Sequence, residues 1–124
     1  MCIRDRKGGV GKTTTAINLA ACLGILEKKV LVVDADPQAN ASSGLGVLNQ
    51  DFEYNIYDCI VNDLDAKEAI INTNTPNVDI IPSSIDLVGA ELELVSRLKR
   101  EYILRKALER VKDEYDYILS LIHI

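Results

Sequence analysis

The run Lys7-Gly8-Gly9-Val10-Gly11-Lys12-Thr13-Thr14-Thr15 puts three glycines, two lysines and a set of hydroxyls in the order that holding a polyphosphate requires. Glycines let a loop curl its backbone N–H groups around an anion, because they reach φ/ψ values closed to other residues. Lys12 is placed to contact β- and γ-phosphates, and the Thr13 hydroxyl to reach Mg²⁺. A helix starting here would aim the positive end of its dipole at the same anion. The general pattern G-x-x-x-x-G-K-[ST] is not fully met, because its first glycine would fall on Arg6. The plainer reading is a glycine-rich turn that caps a helix and binds nothing. Against it stands a strand-turn-acid unit, Val30-Leu31-Val32-Val33-Asp34-Ala35-Asp36-Pro37, at the distance a nucleotide site needs.

Positioning such a loop takes strands and helices in alternation. Residues 13–26 read as a helix, with Ala16, Ile17, Leu19, Ala20 and Leu23 on one face. Val30 to Val33 is a continuous β-branched and leucine run, the mark of a parallel strand buried on both faces, and Pro37 stops it. Residues 38–55 read as a loop with one helical turn, and residues 56–61 and 66–71 as short helices. Val78-Asp79-Ile80-Ile81 is a second strand, closed by Pro82. Ser83 or Ser84 can cap a helix running to Arg97, with Asp86 in its first turn and Leu87, Leu94 and Leu98 on one side. Residues 101–114 form a last helix, with Leu104, Leu108, Val111 and Tyr115 as its stripe. This alternation predicts an α/β fold, a partial doubly wound, mostly parallel sheet with helices on both faces.

The glycine loop, the Val32-to-Ser42 segment and Ile80-Ile81-Pro82-Ser83-Ser84-Ile85-Asp86-Leu87, in this order, resemble the ParA/MinD family of P-loop ATPases with the deviant Walker A motif K-G-G-x-G-K-[ST]. Within that family they look like the ParA/Soj partition branch. The resemblance covers residues 7–118 and implies ATP with Mg²⁺ as cofactors, Gly8, Gly9, Val10, Gly11, Lys12, Thr13 and Thr14 around the phosphates, and Thr13 as the metal residue. Thr14 resembles the α-phosphate contact, and Asp36 the catalytic carboxylate that orients the attacking water. Lys7 resembles the lysine that crosses a dimer interface to the partner's nucleotide. A cation delivered in trans would neutralise charge developing on phosphoryl oxygens. Lys7 also reads as a solvated lysine, and Asp34 and Asp36 as turn formers that end a strand. Asp34 alternatively acts through water on Mg²⁺ or on the loop, and Asn40 belongs to the same loop. Pro82-Ser83-Ser84 reads equally as cap-and-turn or as part of a dimer interface.

The resemblance further implies an ATP-dependent homodimer that binds DNA nonspecifically, meets a partition-site-binding protein and works in the cytoplasm without a membrane. A MinD-type membrane-recruited division-site ATPase is the nearer alternative, and Asp36-Pro37-Gln38 with Asn40 argues against it. A nitrogenase-reductase-like iron protein is the more distant one. It would need interface cysteines, and Cys2, Cys22 and Cys59 have no metal or redox spacing. Cys22 and Cys59 read as packing residues.

The chain has 124 residues and is 48% hydrophobic, one domain with enough apolar content for a core. Its net charge of −5 gives no support for DNA binding by this segment, so a DNA-binding surface would lie elsewhere or be a local patch. Members of the resembled family are longer, so the chain reads as an N-terminal fragment, with the Walker B aspartate, adenine contacts and DNA-contacting arginines expected beyond residue 118. Both ends look foreign to that pattern. Met1-Cys2-Ile3-Arg4-Asp5-Arg6 is a poor buried parallel strand, and Leu119-Ser120-Leu121-Ile122-His123-Ile124 departs from the expected acidic motif. The two hexapeptides can be encoded by inverted copies of one short adapter-like DNA, ATGTGTATAAGAGACAG. Residues 1–6 and 119–124 are therefore expected to be adapter-derived.

Overall fold

The computed structural model describes residues 2–5, 10–35, 40–46, 53–61, 64–83 and 97–123. Five strands form one sheet: β1 (Cys2–Asp5), β2 (Val30–Ala35), β3 (Ile71–Asn72), β4 (Val78–Ile81) and β5 (Tyr117–His123), in the order β1-β5-β2-β4-β3. β1 pairs with β5, β5 with β2 and β2 with β4, all parallel, and only the two-residue β3 runs antiparallel, against β4. The helices are α1 (Val10–Ile25), α2 (Asn40–Gly44), α3 (Ile56–Val61), α4 (Ala66–Ala69) and α5 (Arg97–Glu109), with a 3-10 turn at Lys112–Glu114.

The pleat of β2 sorts the core into two halves. Val30 and Val32 face Ala16 and Ala20 of α1, Ala41 of α2, and Leu119 and Leu121 of β5. Leu31 and Val33 face the other way, into Ile56, Cys59 and Ile60 of α3, Ala66 and Ala69 of α4, and Leu104 of α5. Both faces are covered, which is why Val30 to Val33 is apolar without interruption. All four side chains are fully buried. At about 1.5–3 kcal/mol for each fully buried Val or Leu, this strand contributes the densest share of the hydrophobic stabilisation. The expected stripes are in place, with Leu104 and Val111 buried and Leu108 and Tyr115 packed against them.

Several boundaries differ from the expectation. α1 opens at Val10 and not at residue 13, so the last glycine and Lys12 lie inside its first turn. The helix expected over 66–71 stops at Ala69, where Ile70 turns extended (φ −74°, ψ 129°) and the chain pairs with β4 as β3. β3 escapes sequence patterning because two residues carry no periodicity. The last helix begins at Arg97 and tightens into the 3-10 turn after Glu109. Residues 84–96, where the Ser-capped helix is expected, lie outside the described residues.

The unpromising first hexapeptide nonetheless supplies a strand. Parallel pairing is made by backbone groups, and β1 is an edge strand of the described sheet, where charged residues such as Arg4 and Asp5 are compatible with the ladder. The last hexapeptide likewise continues β5, with Leu119 and Leu121 buried on alternate positions. Cys22 is exposed and not a packing residue, because it sits on the solvent side of α1, whereas Cys59 is buried as expected. Burial, with Asp58 and Asp65 nearby, pushes the Cys59 thiol up to about 12.

α1 ends in a tight reversal. Lys28 N–H donates to Leu23 O and Glu27 N–H to Gly24 O, each at 3.0 Å, with Glu27 at φ 64°. This is the paired 6→1 and 5→2 bonding of a helix that ends on a left-handed residue, a position that favours glycine. Three residues earlier, a Cβ on Gly24 would collide with the Pro76 carbonyl oxygen.

Two measurements check these packing statements. Glu27→Gly should raise stability by about 0.5–1 kcal/mol in urea unfolding, because relief of roughly 1–2 kcal/mol of left-handed strain exceeds the added flexibility of the unfolded chain. Gly24→Ala should lower it. In peptide-mapped alkylation of the native protein, Cys22 should react and Cys59 should be protected until unfolding.

Candidate nucleotide site

The parallel strands set one edge of the sheet apart. β1 ends at Asp5, opposite His123, while Ala35 of β2 pairs with Ile122. The carboxyl ends of β1, β5, β2 and β4 therefore lie along a common rim, where open α/β sheets form their ligand crevice. α1 runs back against the strands. Its C-terminal Gly24 lies against Pro76, just before β4, so its N-terminus lies at the carboxyl rim. Four residues, 6–9, join the end of β1 to the start of α1.

Of the candidate phosphate residues, Val10, Gly11, Lys12 and Thr13 form the first turn of α1, and Thr14 follows with an exposed side chain. The first N–H groups of a helix have no intrahelical acceptor, so this turn presents donors that fit an anion. Lys7, Gly8, Gly9 and Asp36 lie outside the described residues. Among the described residues, no group of His, Cys, Asp or Glu side chains is arranged to hold a metal ion. That donor set differs from the one expected at Thr13, since Mg²⁺ beside phosphates takes few protein ligands.

Asp34 does not terminate its strand, which continues to Ala35. Its side chain is fully buried, and its Oδ2 accepts two hydrogen bonds from Ser42 in α2: from the backbone N–H at 2.8 Å and from the hydroxyl at 2.6 Å. The Ser42 Oγ in turn accepts the Ser83 N–H at 3.0 Å. Ser42 and Ser83 are fully buried as well. The first acid of Asp-x-Asp thus holds the far end of its own loop, one of the roles open to it from sequence. Asn40 opens α2, and Ser83, considered as a helix cap, joins α2 to the end of β4. Pro82 O accepts the Ile56 N–H at 2.8 Å, tying the same segment to α3. Sequence reasoning missed Ser42. Its only signal is a hydroxyl in the first turn of a helix that follows an acid-bearing strand.

An open cleft of about 810 Å³ lies at the opposite rim, between Lys29, the turn before β4 and the segment Asp113 to Asp116. There the Tyr115 hydroxyl donates to Asp79 Oδ2 at 2.7 Å, and burial with that bond raises the Tyr115 pKa. Asp116 Oδ2 accepts the Lys29 N–H at 2.8 Å. These bonds tie the amino ends of β2, β4 and β5 together, at the rim opposite the first turn of α1.

The family model described as AAA domain matches residues 1–121, a longer span than the 7–118 of the motif resemblance. The chain is 52% identical over 119 residues to the sporulation initiation inhibitor protein Soj of Bacillus subtilis, covering 96% of this chain and 47% of that protein. It is 48% identical over 119 residues to the chromosome partitioning protein ParA of Myxococcus xanthus, covering 96% of this chain and 42% of that one. Among solved structures, cobyrinic acid a,c-diamide synthase of Mycobacterium smegmatis, with bound ATP analogue and magnesium, superposes with a TM-score of 0.82 at 32% identity, over 96% of this chain and 48% of that chain. The chain spans about half the length of the curated relatives it matches. With the glycine run between β1 and α1 in sequence and an acid-bearing β2 in the same parallel sheet, the chain belongs to the AAA domain family, in the Soj/ParA branch of the ParA/MinD P-loop ATPases.

Proposed function

We propose that the chain is the nucleotide-binding part of a partition ATPase that acts in chromosome or plasmid segregation. The observation that carries this reading is the connection of the Lys7-to-Thr13 motif: in sequence it joins the carboxyl end of β1 to the first turn of α1, on the rim where β2 ends just after the buried Asp34. The identity to Soj and to the chromosome partitioning ParA supports the branch, and the ATP analogue with magnesium in the similar synthase supports the cofactors. ATP with Mg²⁺ supplies the transferable phosphoryl group and its charge clamp. Gly8, Gly9, Val10 and Gly11 present N–H donors, Lys12 neutralises phosphate charge, Thr13 offers a hydroxyl to the metal, and Thr14 contacts the α-phosphate. Asp36 orients the attacking water. Lys7 serves the partner's site in an ATP-dependent homodimer. That dimer binds DNA nonspecifically, is switched off through a partition-site-binding protein and works in the cytoplasm. Among the described residues, no helix is long and apolar enough to cross a membrane.

The test uses the full-length protein. Lys12→Ala should abolish ATP binding in calorimetry. Asp36→Ala should bind ATP as the parent does and lose hydrolysis by about 100-fold or more. Normal hydrolysis by Asp36→Ala would remove its assigned role.

Mixed dimers test the lysine delivered in trans. Lys7→Ala should spare ATP binding but weaken ATP-dependent dimerisation and turnover. Mixed with Asp36→Ala, it should regain part of the hydrolysis, because one site then has its own Asp36 and a Lys7 from the partner. No recovery in mixed dimers shown to form by mass would place Lys7 in its own site or in solvent.

A further inference from the structure

The Ser42 hydroxyl joins three elements through one atom. Ser83 N–H can only donate, so Ser42 Oγ accepts it, and the hydroxyl proton is left for Asp34. The direction of the chain is therefore fixed: Ser83 N–H to Ser42 Oγ–H to Asp34 Oδ2. The last bond, at 2.6 Å, has the length of a hydroxyl on a carboxylate. All three residues are fully buried, so water does not compete for these bonds.

A tie needed only for packing has a simpler solution. Apolar side chains of similar volume fill a buried site at least as stably as a polar network does. The network also stands at the carboxyl rim, where ligands of such sheets bind. It brackets the segment between Asp34 and Ser42, which in sequence contains Asp36, and its third member begins the chain that leaves β4.

We propose that Ser42 is a positioning residue for ATP hydrolysis: it fixes the end of β2, the first turn of α2 and the start of the segment after β4 in one mutual arrangement, and turnover depends on that arrangement more than nucleotide affinity does. This rests on the ATPase reading above. The described bonds of the network join β2, α2 and the segment after β4, whereas the phosphates are assigned to the first turn of α1, so turnover is expected to fall further than binding. A misplacement on the order of 1 Å near reacting groups costs up to about 100-fold in rate.

Steady-state hydrolysis and ATP calorimetry on the full-length protein test it, with thermal melts run in parallel. Ser42→Ala should lower kcat by about 10-fold or more, with KM and the ATP Kd changed less than about twofold. Ser42→Thr, which keeps the hydroxyl, should restore kcat. Should Ser42→Ala not fold, Ser42→Cys, close in size and only a weak donor, should give the same split. Unchanged kcat, a loss shared equally by Ser42→Thr, or a loss confined to ATP affinity would overturn the proposal. A parent protein that binds no ATP overturns the ATPase reading and this one with it. A parent that turns over normally beside an equally active Ser42→Ala overturns this one alone.

Discussion

β2 is the constraint to which the other elements answer. It lies between β5 and β4, and its four apolar side chains are buried to completion on two opposite faces. A strand buried in this way needs a helix layer on each side, so α1 with α2, and α3 with α4 and α5, follow from it. It also needs partners for both rows of backbone groups, which β4 and β5 supply in parallel register. Parallel register in turn demands crossovers, and these return the carboxyl ends of β1, β5, β2 and β4 to the same rim. The place where chemistry collects is thus a consequence of how β2 is buried.

The two rims carry different physics. At the amino rim the chain is stitched by local geometry: Gly24 against Pro76, Glu27 and Asn77 at positive φ, and the Asn77 side-chain amide donating to Gly24 O at 3.0 Å. Val30 N–H donates to Asn77 O, and Asp116 and Tyr117 N–H groups converge on Lys29 O. These contacts close turns and set where strands begin. Among the described residues, the ties at the carboxyl rim are buried and polar, and they join elements distant in sequence, Ser42 to Ser83 above all. Turns at the amino rim can vary in composition so long as they close. The carboxyl rim depends on particular atoms.

Legibility in the sequence followed the same division. The β-branched run of β2, the Val78 to Ile81 strand and the apolar faces of α1 and α5 were plain, because periodicity reports burial directly. The glycine loop was plain because its residue types are chemically constrained. β1 was not, since an edge strand pairs through backbone groups and leaves no required side-chain pattern. β3 was too short to read, and α1 began earlier than its apolar face suggested, because its first turn is occupied by loop residues. Ser42 could not be found by pattern. Its role exists only once α2 folds back onto the end of β2, a tertiary event that a hydroxyl in a helix's first turn does not by itself announce.

The buried carboxylate of Asp34 gives the reason that this corner tolerates little change. A carboxylate removed from water carries a desolvation penalty of several kcal/mol unless its oxygens are hydrogen-bonded. Two of its donors come from one residue of a five-residue helix, and a helix that short has little stability of its own. Helix and carboxylate hold each other: α2 keeps its place because Asp34 takes its donors, and Asp34 is accommodated because α2 is there. Such a mutual dependence is cooperative, and it fails as a unit when either member is lost. Ile17 of α1 lies close against Gly44 at the other end of α2, so the phosphate-side helix packs on the same small element. α2 therefore stands between the acid-bearing strand and α1, held on one side by buried hydrogen bonds to Asp34 and packed on the other against Ile17.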